Sequence, residues 1–382
     1  MYNTVYYIVK SNLHYYPPCM SQIKMLQDSG VNVIVLYGSS EKVALEELES
    51  RGIHFVELSD PRGKYKGIVD KANNWIKFRE ALKSYIRTID KEKSLLWFGN
   101  AETALPMIGL IEDKYNYIIT YLELLDHKRN RIRLLKGLSQ HAKAIVTCQE
   151  TRSYLMQYWF GLAKLPYTIP NKPYALNVGK KAPITTEKGK YVLNEVDGHK
   201  YIIYQGIFQD VEYLEVVARV LNDCYPDIYF VMMGIDKRNV VQHIKDIYKN
   251  TVYVDYIPAP LHLEVTSNAY IGLLFYNPDS LNKAFCAPNK IFEYSCFGLP
   301  IIGNNIPGLT NTIGSCGAGI CTDFSYSNIK EAIREIVLHY DEFSKRSEKF
   351  YHSINNQDTI TRIIEDVGIQ TNEKSIERER NM

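Results

Sequence analysis

The strongest constraint in this sequence is an alternation of short β-rich runs with longer helical stretches. The β-rich runs of the first half are Thr4–Val9, Asn32–Tyr37, Ile53–Leu58, Ser94–Phe98, Tyr117–Thr120 and Ala144–Cys148. The stretches of helical period between them are Ser21–Ser29, Glu41–Arg51, Ile68–Thr88, Arg129–His141 and Glu150–Phe160. Such an alternation favours a parallel sheet that is covered by helices on both faces.

The alternation stops at residues 171–200, which are rich in Lys, Pro, Gly and Thr, and then begins again. The predicted strands of this second series are Tyr201–Tyr204, Ile228–Met233, Thr251–Tyr256, Ala269–Phe275 and Pro300–Gly303. The predicted helices are Glu212–Asn222, Val240–Tyr248, Pro288–Cys296 and Asn328–Leu338. The sequence therefore predicts an α/β protein with two doubly wound, Rossmann-like domains of similar size.

The domain boundaries follow from this pattern, since a chain of 382 residues accommodates two such domains. We predict a first domain over residues 1–172, a linker over 173–199 and a second domain over 200–350. A C-terminal helix is predicted over 351–369, followed by a disordered polar tail over 370–382.

Composition narrows the functional classes. Hydrophobic residues make up 46% of the chain and charged residues 23%, and the formal net charge is only +2. This balance gives no general attraction to nucleic acid. The seven cysteines form no C-x-x-C pair, the apolar run at the N-terminus ends at Lys10, and no uninterrupted apolar window is long enough to span a bilayer. We therefore expect a cytoplasmic protein, with peripheral contact at the inner face of the membrane as an alternative.

The segment 288–294, PNKIFEY, carries the strongest chemical signal. Pro288 suits a first helical turn and Gly298 suits the position after the last one. The free N–H groups of such a helix attract anions, and the Lys290 ammonium would add a full charge. We expect these amide donors to belong to Asn289, Lys290 and Ile291. Glu293, one turn later, could accept hydrogen bonds from ribose hydroxyls, although a surface ion pair with Lys290 is the alternative.

Two glycine turns after predicted strands are further candidates for nucleotide contacts. Gly206 and Ile207 follow the first strand of the second domain, where a missing β-carbon lets backbone amides approach a phosphate. Gly234 and Ile235 follow the next strand and could flank a nucleobase. Tight strand-to-helix turns with no ligand are the alternative at both places.

Several segments, in this order, resemble the nucleotide-sugar glycosyltransferases of the two-domain GT-B fold, and most of all their family 4, which builds bacterial surface polysaccharides. In the second half they are YQG at 204–206, AYIGLL at 269–274, PNKIFEY at 288–294 and GLPII at 298–302. In the first half they are YLE at 121–123, AIVT at 144–147, ETR at 150–152 and IPN at 169–171. The resemblance implies two domains that face a central cleft and a C-terminal helix that crosses back to the first domain.

The resemblance also implies roles for single residues. Glu293 corresponds to the second glutamate of the family's Glu-x7-Glu motif, which binds the donor ribose. The first glutamate would fall at Phe285, and the Arg and Lys expected near 209–212 are missing. Sugar contacts are therefore expected from the region 282–287, including Asn282, and diphosphate neutralisation falls largely on Lys290.

The implied activity is transfer of a sugar from a UDP- or GDP-type donor to a glycan or a polyprenyl-diphosphate-linked acceptor, with retention of configuration. The chain has no Asp-x-Asp triplet, so we expect no metal ion and no cofactor beyond the donor. A non-catalytic sugar-nucleotide-binding partner subunit and a nucleotide-sugar epimerase remain open alternatives. Phe285 argues against the epimerase, which would use paired carboxylates.

Candidate acceptor-side groups follow the strand that ends at Thr120. Glu123, Asp126 and His127 could position or deprotonate an acceptor hydroxyl, and a plain polar loop is the alternative. His14, after the first strand, is a further candidate. The basic stretch 128–143 could dock on anionic lipid, although an amphipathic helix with a solvated charged face is the favoured interpretation.

Overall fold

The computed structural model describes residues 1–58, 68–176 and 178–372. The chain divides into two compact units. Unit 1 contains Met1–Tyr174 and the chain from Asn355 onward, and unit 2 contains Ala175–Ile354. Each unit is built on its own sheet.

Among the residues described in unit 1, seven strands form one sheet, and all of them pair in parallel. They are β1 (Thr4–Asn12), β2 (Val33–Ser39), β3 (His54–Glu57), β4 (Ser94–Phe98), β5 (Tyr117–Tyr121), β6 (Ala144–Thr147) and β7 (Tyr167–Thr168). Their spatial order is β3-β2-β1-β4-β5-β6-β7. β4 and β5 are buried along their whole length, as expected of central strands between two helical layers.

The helices of unit 1 lie between these strands and after the return of the chain from unit 2. They are α1 (Pro17–Asp28), α2 (Lys42–Ser50), α3 (Ile68–Ile86), α4 (Ala101–Ala104), α5 (Arg129–His141) and α6 (Glu150–Phe160). Two short 3₁₀ turns occur at Leu13–Tyr15 and Leu105–Met107. The boundaries of α6 illustrate the local rules: the Gln149 side chain accepts from the Arg152 amide, and Gly161 ends the helix at φ 61°.

The described residues of unit 2 form a second sheet of six strands, which again all pair in parallel. They are β8 (Tyr201–Ile207), β9 (Tyr229–Ile235), β10 (Thr251–Val254), β11 (Ile271–Leu274), β12 (Ile301–Asn304) and β13 (Gly319–Thr322). Their spatial order is β10-β9-β8-β11-β12-β13. The first six strands of unit 1 have the same pattern, because in both units the order reverses next to the first strand. Ligands of such sheets bind beyond the carboxyl ends of the strands at this reversal.

In the described part of the chain, nine further helices follow α6 in unit 2, and one more lies in unit 1. They are α7 (Glu187–Val196), α8 (Val211–Cys224), α9 (Val240–Ile247), α10 (His262–Ser267), α11 (Leu281–Ala284), α12 (Lys290–Cys296), α13 (Pro307–Leu309), α14 (Tyr326–Leu338), α15 (Tyr340–Ser353) and α16 (Asn356–Val367). A π-helical turn follows α13 at Thr310–Gly314.

Alternate residues of β8 enter separate cores on the two faces of the sheet. Tyr201 and Ile203 belong to one cluster, with residues of α7, α10 and α12, whereas Ile202 and Tyr204 belong to the other, with residues of α8, α9 and α14. This two-sided burial confirms the predicted fold class of two Rossmann-like α/β units.

Residues 173–199 were predicted as a linker, and this prediction is wrong for most of the segment. Unit 2 begins at Ala175 and includes α7, whose Val192 and Val196 are buried in its core. The Thr186 side chain caps α7 by accepting from the Gly189 amide. This helix was not predicted because the segment is rich in Lys, Thr and Gly and because the helix buries only a narrow apolar stripe.

The C-terminal predictions need two corrections. The predicted helix 351–369 is divided, since α15 ends at Ser353 and α16 begins at Asn356 within unit 1. The predicted disordered tail does not begin at Gln370, whose amide donates to the Tyr2 carbonyl at 2.7 Å, and Thr371 bridges Val31. Residues 373–382 lie outside the described part of the chain.

In the described ranges, none of the helices combines the length and the apolar composition that a membrane span requires.

Candidate functional site

A cavity of about 560 Å³ opens in unit 2 beyond the carboxyl ends of β8 and β9. Most of the donor-side residues predicted from the second-domain motifs line it, although Ile291 does not: the lining includes Gly206, Ile207, Gly234, Ile235, Pro288, Asn289, Lys290 and Glu293. Asn282 is not among the lining residues. The cavity therefore brings together three chain segments that are far apart in sequence.

The ends of β8 and β9 approach each other more closely than a side chain on Gly234 would allow, and Lys290 at the start of α12 lies beside them. Gly206 pairs with Gly234, and both have φ 142°, in the region that L-residues rarely adopt. A β-carbon on Gly234 would overlap the Gly206 carbonyl. A β-carbon on Gly206 would lie 3.4 Å from the Lys290 ammonium nitrogen. Backbone conformation thus favours glycine at both positions, and close packing requires it at Gly234.

Lys290 presents its charge to the cavity. The side chain is half-buried, and among the residues that the structure describes we find no hydrogen bond or ion pair to its ammonium group. Burial lowers the pKa of Lys290, and the nearby Glu293 carboxylate opposes this effect only in part. A cation that is partly removed from water and has unused donors is stabilised by a bound anion.

The helix that begins at Lys290 differs from the prediction in two respects. It has seven residues, not the nine of Pro288–Cys296, because Asn289 is its N-terminal cap. The Ile291 amide, which was expected to be free, donates to the Pro288 carbonyl at 3.3 Å. The anion-binding contribution of this helix end is thereby reduced, and the Lys290 side chain becomes the main positive group.

Glu293 is held by two neighbours on one of its carboxylate oxygens. Gln205 Nε2 donates to Glu293 Oε2 at 2.6 Å, and His262 Nε2 approaches the same oxygen at 3.5 Å. The side chain of Glu293 is only 12% exposed. Burial by itself raises the pKa of Glu293, but His262, the Lys290 charge and the Gln205 hydrogen bond together lower it. The carboxylate is therefore ionised at neutral pH.

Gln205 and His262 were not predicted as site residues. Gln205 was noted only as part of the YQG segment, and His262 was not singled out at all, yet both line the cavity. The signal that locates them is tertiary, because Gln205 and Glu293 are 88 positions apart. Other unpredicted lining residues are Met233, Tyr256, Ile257, Ala259 and Tyr276.

One part of the cavity wall is apolar and accessible. Ile207 is 42% exposed, Ile235 38% and Tyr256 53%, which is high for large hydrophobic side chains. Buried Ile257 and Met233 continue this wall. A flat aromatic ligand group would cover surface that otherwise contacts water.

The acceptor-side candidates belong to unit 1. Glu123 and His127 are exposed in the segment that connects β5 to α5, and Asp126 Oδ1 lies 3.9 Å from His127 Nδ1. Asp126 and His127 line a shallow depression together with the first residues of α5. His14 lies in the 3₁₀ turn after β1, where its amide donates to Asn12 Oδ1.

In the described part of the chain, no group of three or more His, Cys, Asp or Glu side chains is arranged to hold a metal ion.

No protein-family model and no curated protein matches this chain. Solved structures with the same two-domain fold cover nearly all of it. HepE from Anabaena, solved in complex with UDP and glucose, has a TM-score of 0.68 at 10% identity over 96% of this chain and 100% of its own. Sucrose-phosphate synthase from Thermosynechococcus elongatus has a TM-score of 0.62 at 14% identity, covering 99% of this chain and 98% of its own.

An epimerase has the same fold. UDP-GlcNAc 2-epimerase from Neisseria meningitidis, solved bound to UDP-GlcNAc, has a TM-score of 0.62 at 14% identity over 95% of this chain and 99% of its own. The chain therefore has the fold of the GT-B glycosyltransferases, and its chemistry must be inferred from its own residues.

Proposed function

We propose that unit 2 binds the nucleoside diphosphate of a nucleotide sugar and that the protein transfers the sugar to a glycan or a lipid-linked acceptor. One observation carries this proposal: the Lys290 ammonium lies against Gly206 in the same cavity as the ionised Glu293 carboxylate. A cation for a diphosphate and, one turn later, a carboxylate for ribose hydroxyls match the two polar parts of a nucleoside diphosphate.

The apolar wall of Ile207, Ile235 and Tyr256 supplies the third contact. A nucleobase has two flat apolar faces, and packing one of them here would remove exposed hydrocarbon from water. HepE was solved with UDP and the epimerase with UDP-GlcNAc, which supports a uridine nucleotide as the first candidate. A GDP-type donor is the alternative.

The mechanism that we propose uses Lys290 to stabilise the leaving group. As the bond between the anomeric carbon and the diphosphate oxygen breaks, its electron pair goes to that oxygen and the diphosphate gains negative charge. The ammonium is already in place and is poorly solvated, so its attraction grows in the transition state. No metal ion is required in this proposal, and we propose retention of the anomeric configuration.

On the acceptor side, we propose that Glu123, Asp126, His127 and His14 contact or deprotonate the acceptor hydroxyl, and that Asn282 contacts the donor sugar. The biological role that we propose is bacterial surface polysaccharide synthesis in the cytoplasm. A lipid-linked acceptor would bring the protein to the membrane, where the basic helix α5 could meet anionic head groups.

The test is incubation of the protein with a panel of UDP- and GDP-sugars, with and without a mixture of glycan and polyprenyl-diphosphate acceptors. The proposal predicts release of nucleoside diphosphate that increases when an acceptor is present. An epimerase, which the Neisseria structure keeps as the second candidate, would convert the sugar without any acceptor. A non-catalytic binding subunit would bind the nucleotide and change nothing, and either result would overturn the transferase proposal.

A further inference from the structure

Gln205 is held in a single orientation inside the cavity wall. It is 5% exposed, its Oε1 accepts from Thr266 Oγ1 at 2.8 Å, and its Nε2 donates to Glu293 Oε2 at 2.6 Å. A flipped amide would place its oxygen 2.6 Å from the carboxylate oxygen, and two acceptors at that distance repel each other. The Glu293 carboxylate therefore fixes the direction of the amide, and Thr266 fixes its position.

The two oxygens of Glu293 are used unequally. Gln205 and His262 both address Oε2. For Oε1 we find no hydrogen-bond partner in the described ranges, although the residue lines the cavity. The hydrogen-bonding capacity of Oε2 is thus used within the protein, whereas Oε1 stays available to a ligand in the cavity. A carboxylate held in this way loses little rotational freedom when it accepts a hydrogen bond from a ligand.

We propose that Gln205 is a positioning residue that orients Glu293 so that Oε1 accepts from a ribose hydroxyl, and that it thereby sets the preference of the site for ribonucleotides over dideoxyribonucleotides. This inference rests on the proposed function, since it assumes that a nucleoside diphosphate enters the cavity. Gln205 itself touches no ligand in this proposal and acts only through Glu293.

The experiment is calorimetric titration with UDP and with 2′,3′-dideoxyuridine 5′-diphosphate, which keeps the base and the diphosphate but lacks both hydroxyls. We expect the wild type to prefer UDP by about tenfold or more, the factor of one hydrogen bond to a charged group. Methionine is similar in length to glutamine but has no hydrogen-bond donor. In Gln205→Met, the affinity for UDP should therefore fall until it approaches the affinity for the dideoxy ligand. The affinity for the dideoxy ligand should remain within about twofold, as expected when only the hydroxyl contact is lost.

Two further variants make the result specific. Thr266→Val, which removes the hydroxyl that holds the amide, should lower the preference in the same direction. In the double variant Gln205→Met with Glu293→Ala, the preference should fall no further than in Glu293→Ala alone, because both changes remove one contact. Lys290→Ala should lower the affinities for UDP and for the dideoxy ligand by a similar factor.

The outcomes separate the two proposals. A wild-type protein that binds neither nucleotide would contradict the proposed function. A wild type that prefers UDP, together with a Gln205→Met variant that keeps the same preference or weakens both ligands equally, would overturn the positioning role alone. Additive losses in the double variant would do the same.

Discussion

The Lys290 ammonium nitrogen lies where a β-carbon on Gly206 would be only 3.4 Å away. This contact joins the end of β8 to the start of α12, which are more than eighty positions apart in the sequence. It places a poorly solvated cation at the point where the strand order of the sheet reverses.

Alanine at the two paired glycines should have different consequences. Gly234→Ala would push a methyl group into the Gly206 carbonyl and separate β8 from β9, so we expect a loss of more than about 2 kcal/mol in the free energy of unfolding. Gly206→Ala would strain the backbone and place a methyl group beside the end of the Lys290 side chain, where the diphosphate is proposed to bind, so it should mainly weaken nucleoside diphosphate binding.

Urea denaturation and UDP titration of both variants check this pair of expectations. Gly179→Ala is the matched control, since nothing lies within 4 Å of its added β-carbon. Equal stability of the Gly234→Ala variant and the control would show that the two strands do not meet as described.

The affinity for UDP should fall as the pH rises, and this fall should begin at a lower pH than the deprotonation of an exposed lysine would produce. Burial lowers the pKa of Lys290 below 10.5, so the ammonium loses its proton, and the diphosphate its counter-charge, at a lower pH. Titration of UDP between pH 7 and about 10 measures this decline. In Lys290→Arg, which stays protonated over this range, the decline should be absent, and the same decline in both proteins would assign it to another group.

Glu264 should stabilise unit 2 in a pH-dependent way. Its buried carboxylate accepts from the amides of Thr185 and Thr186 at 2.9 and 3.2 Å. Burial raises the pKa of Glu264, but the hydrogen bonds from the Thr185 hydroxyl and from the two amides outweigh this effect and bring the pKa below its usual 4.5. A carboxyl with a depressed folded-state pKa contributes stability above its unfolded pKa and loses it as the pH falls through the folded value.

We therefore expect Glu264→Gln to lower the free energy of unfolding by about 2 kcal/mol at pH 7, the scale of hydrogen bonds to a charged acceptor. The difference from wild type should shrink as the pH falls below 4.5. Chemical denaturation at several pH values measures it, with Glu195→Gln on the exposed face of α7 as the control. A difference that does not change with pH would contradict this account of Glu264.

The sequence predicted the sheet architecture well because parallel strands buried on both faces are continuous apolar runs. Arg129–His141 and Glu150–Phe160 were even placed with their observed ends. The errors occurred where tertiary contacts override composition. α7 exposes mostly polar side chains, and Thr185, just before its first turn, donates hydrogen bonds to Glu264, which is far away in the sequence. The local sequence pattern therefore did not predict this helix.

The candidate site was predictable only as far as motifs extend. Segment 288–294 contains both charged groups, and glycine turns marked the ends of β8 and β9. Gln205 and His262 contact Glu293 from other elements of the fold, and a local sequence pattern does not predict contacts between residues that are far apart in the chain. The Ile291 amide donates to the Pro288 carbonyl only because the backbone turns tightly at the start of α12. A sequence pattern does not predict such a detail of backbone geometry.

The most direct measurement is calorimetric titration of UDP and GDP into the wild type, Lys290→Ala and Glu293→Ala. We expect saturable binding of one nucleoside diphosphate, with an affinity that is weaker by at least about 1 kcal/mol in each variant. Lys249→Ala, a change at an exposed lysine outside the cavity, should leave the affinity unchanged. Near-native affinity in both Lys290→Ala and Glu293→Ala would contradict the site.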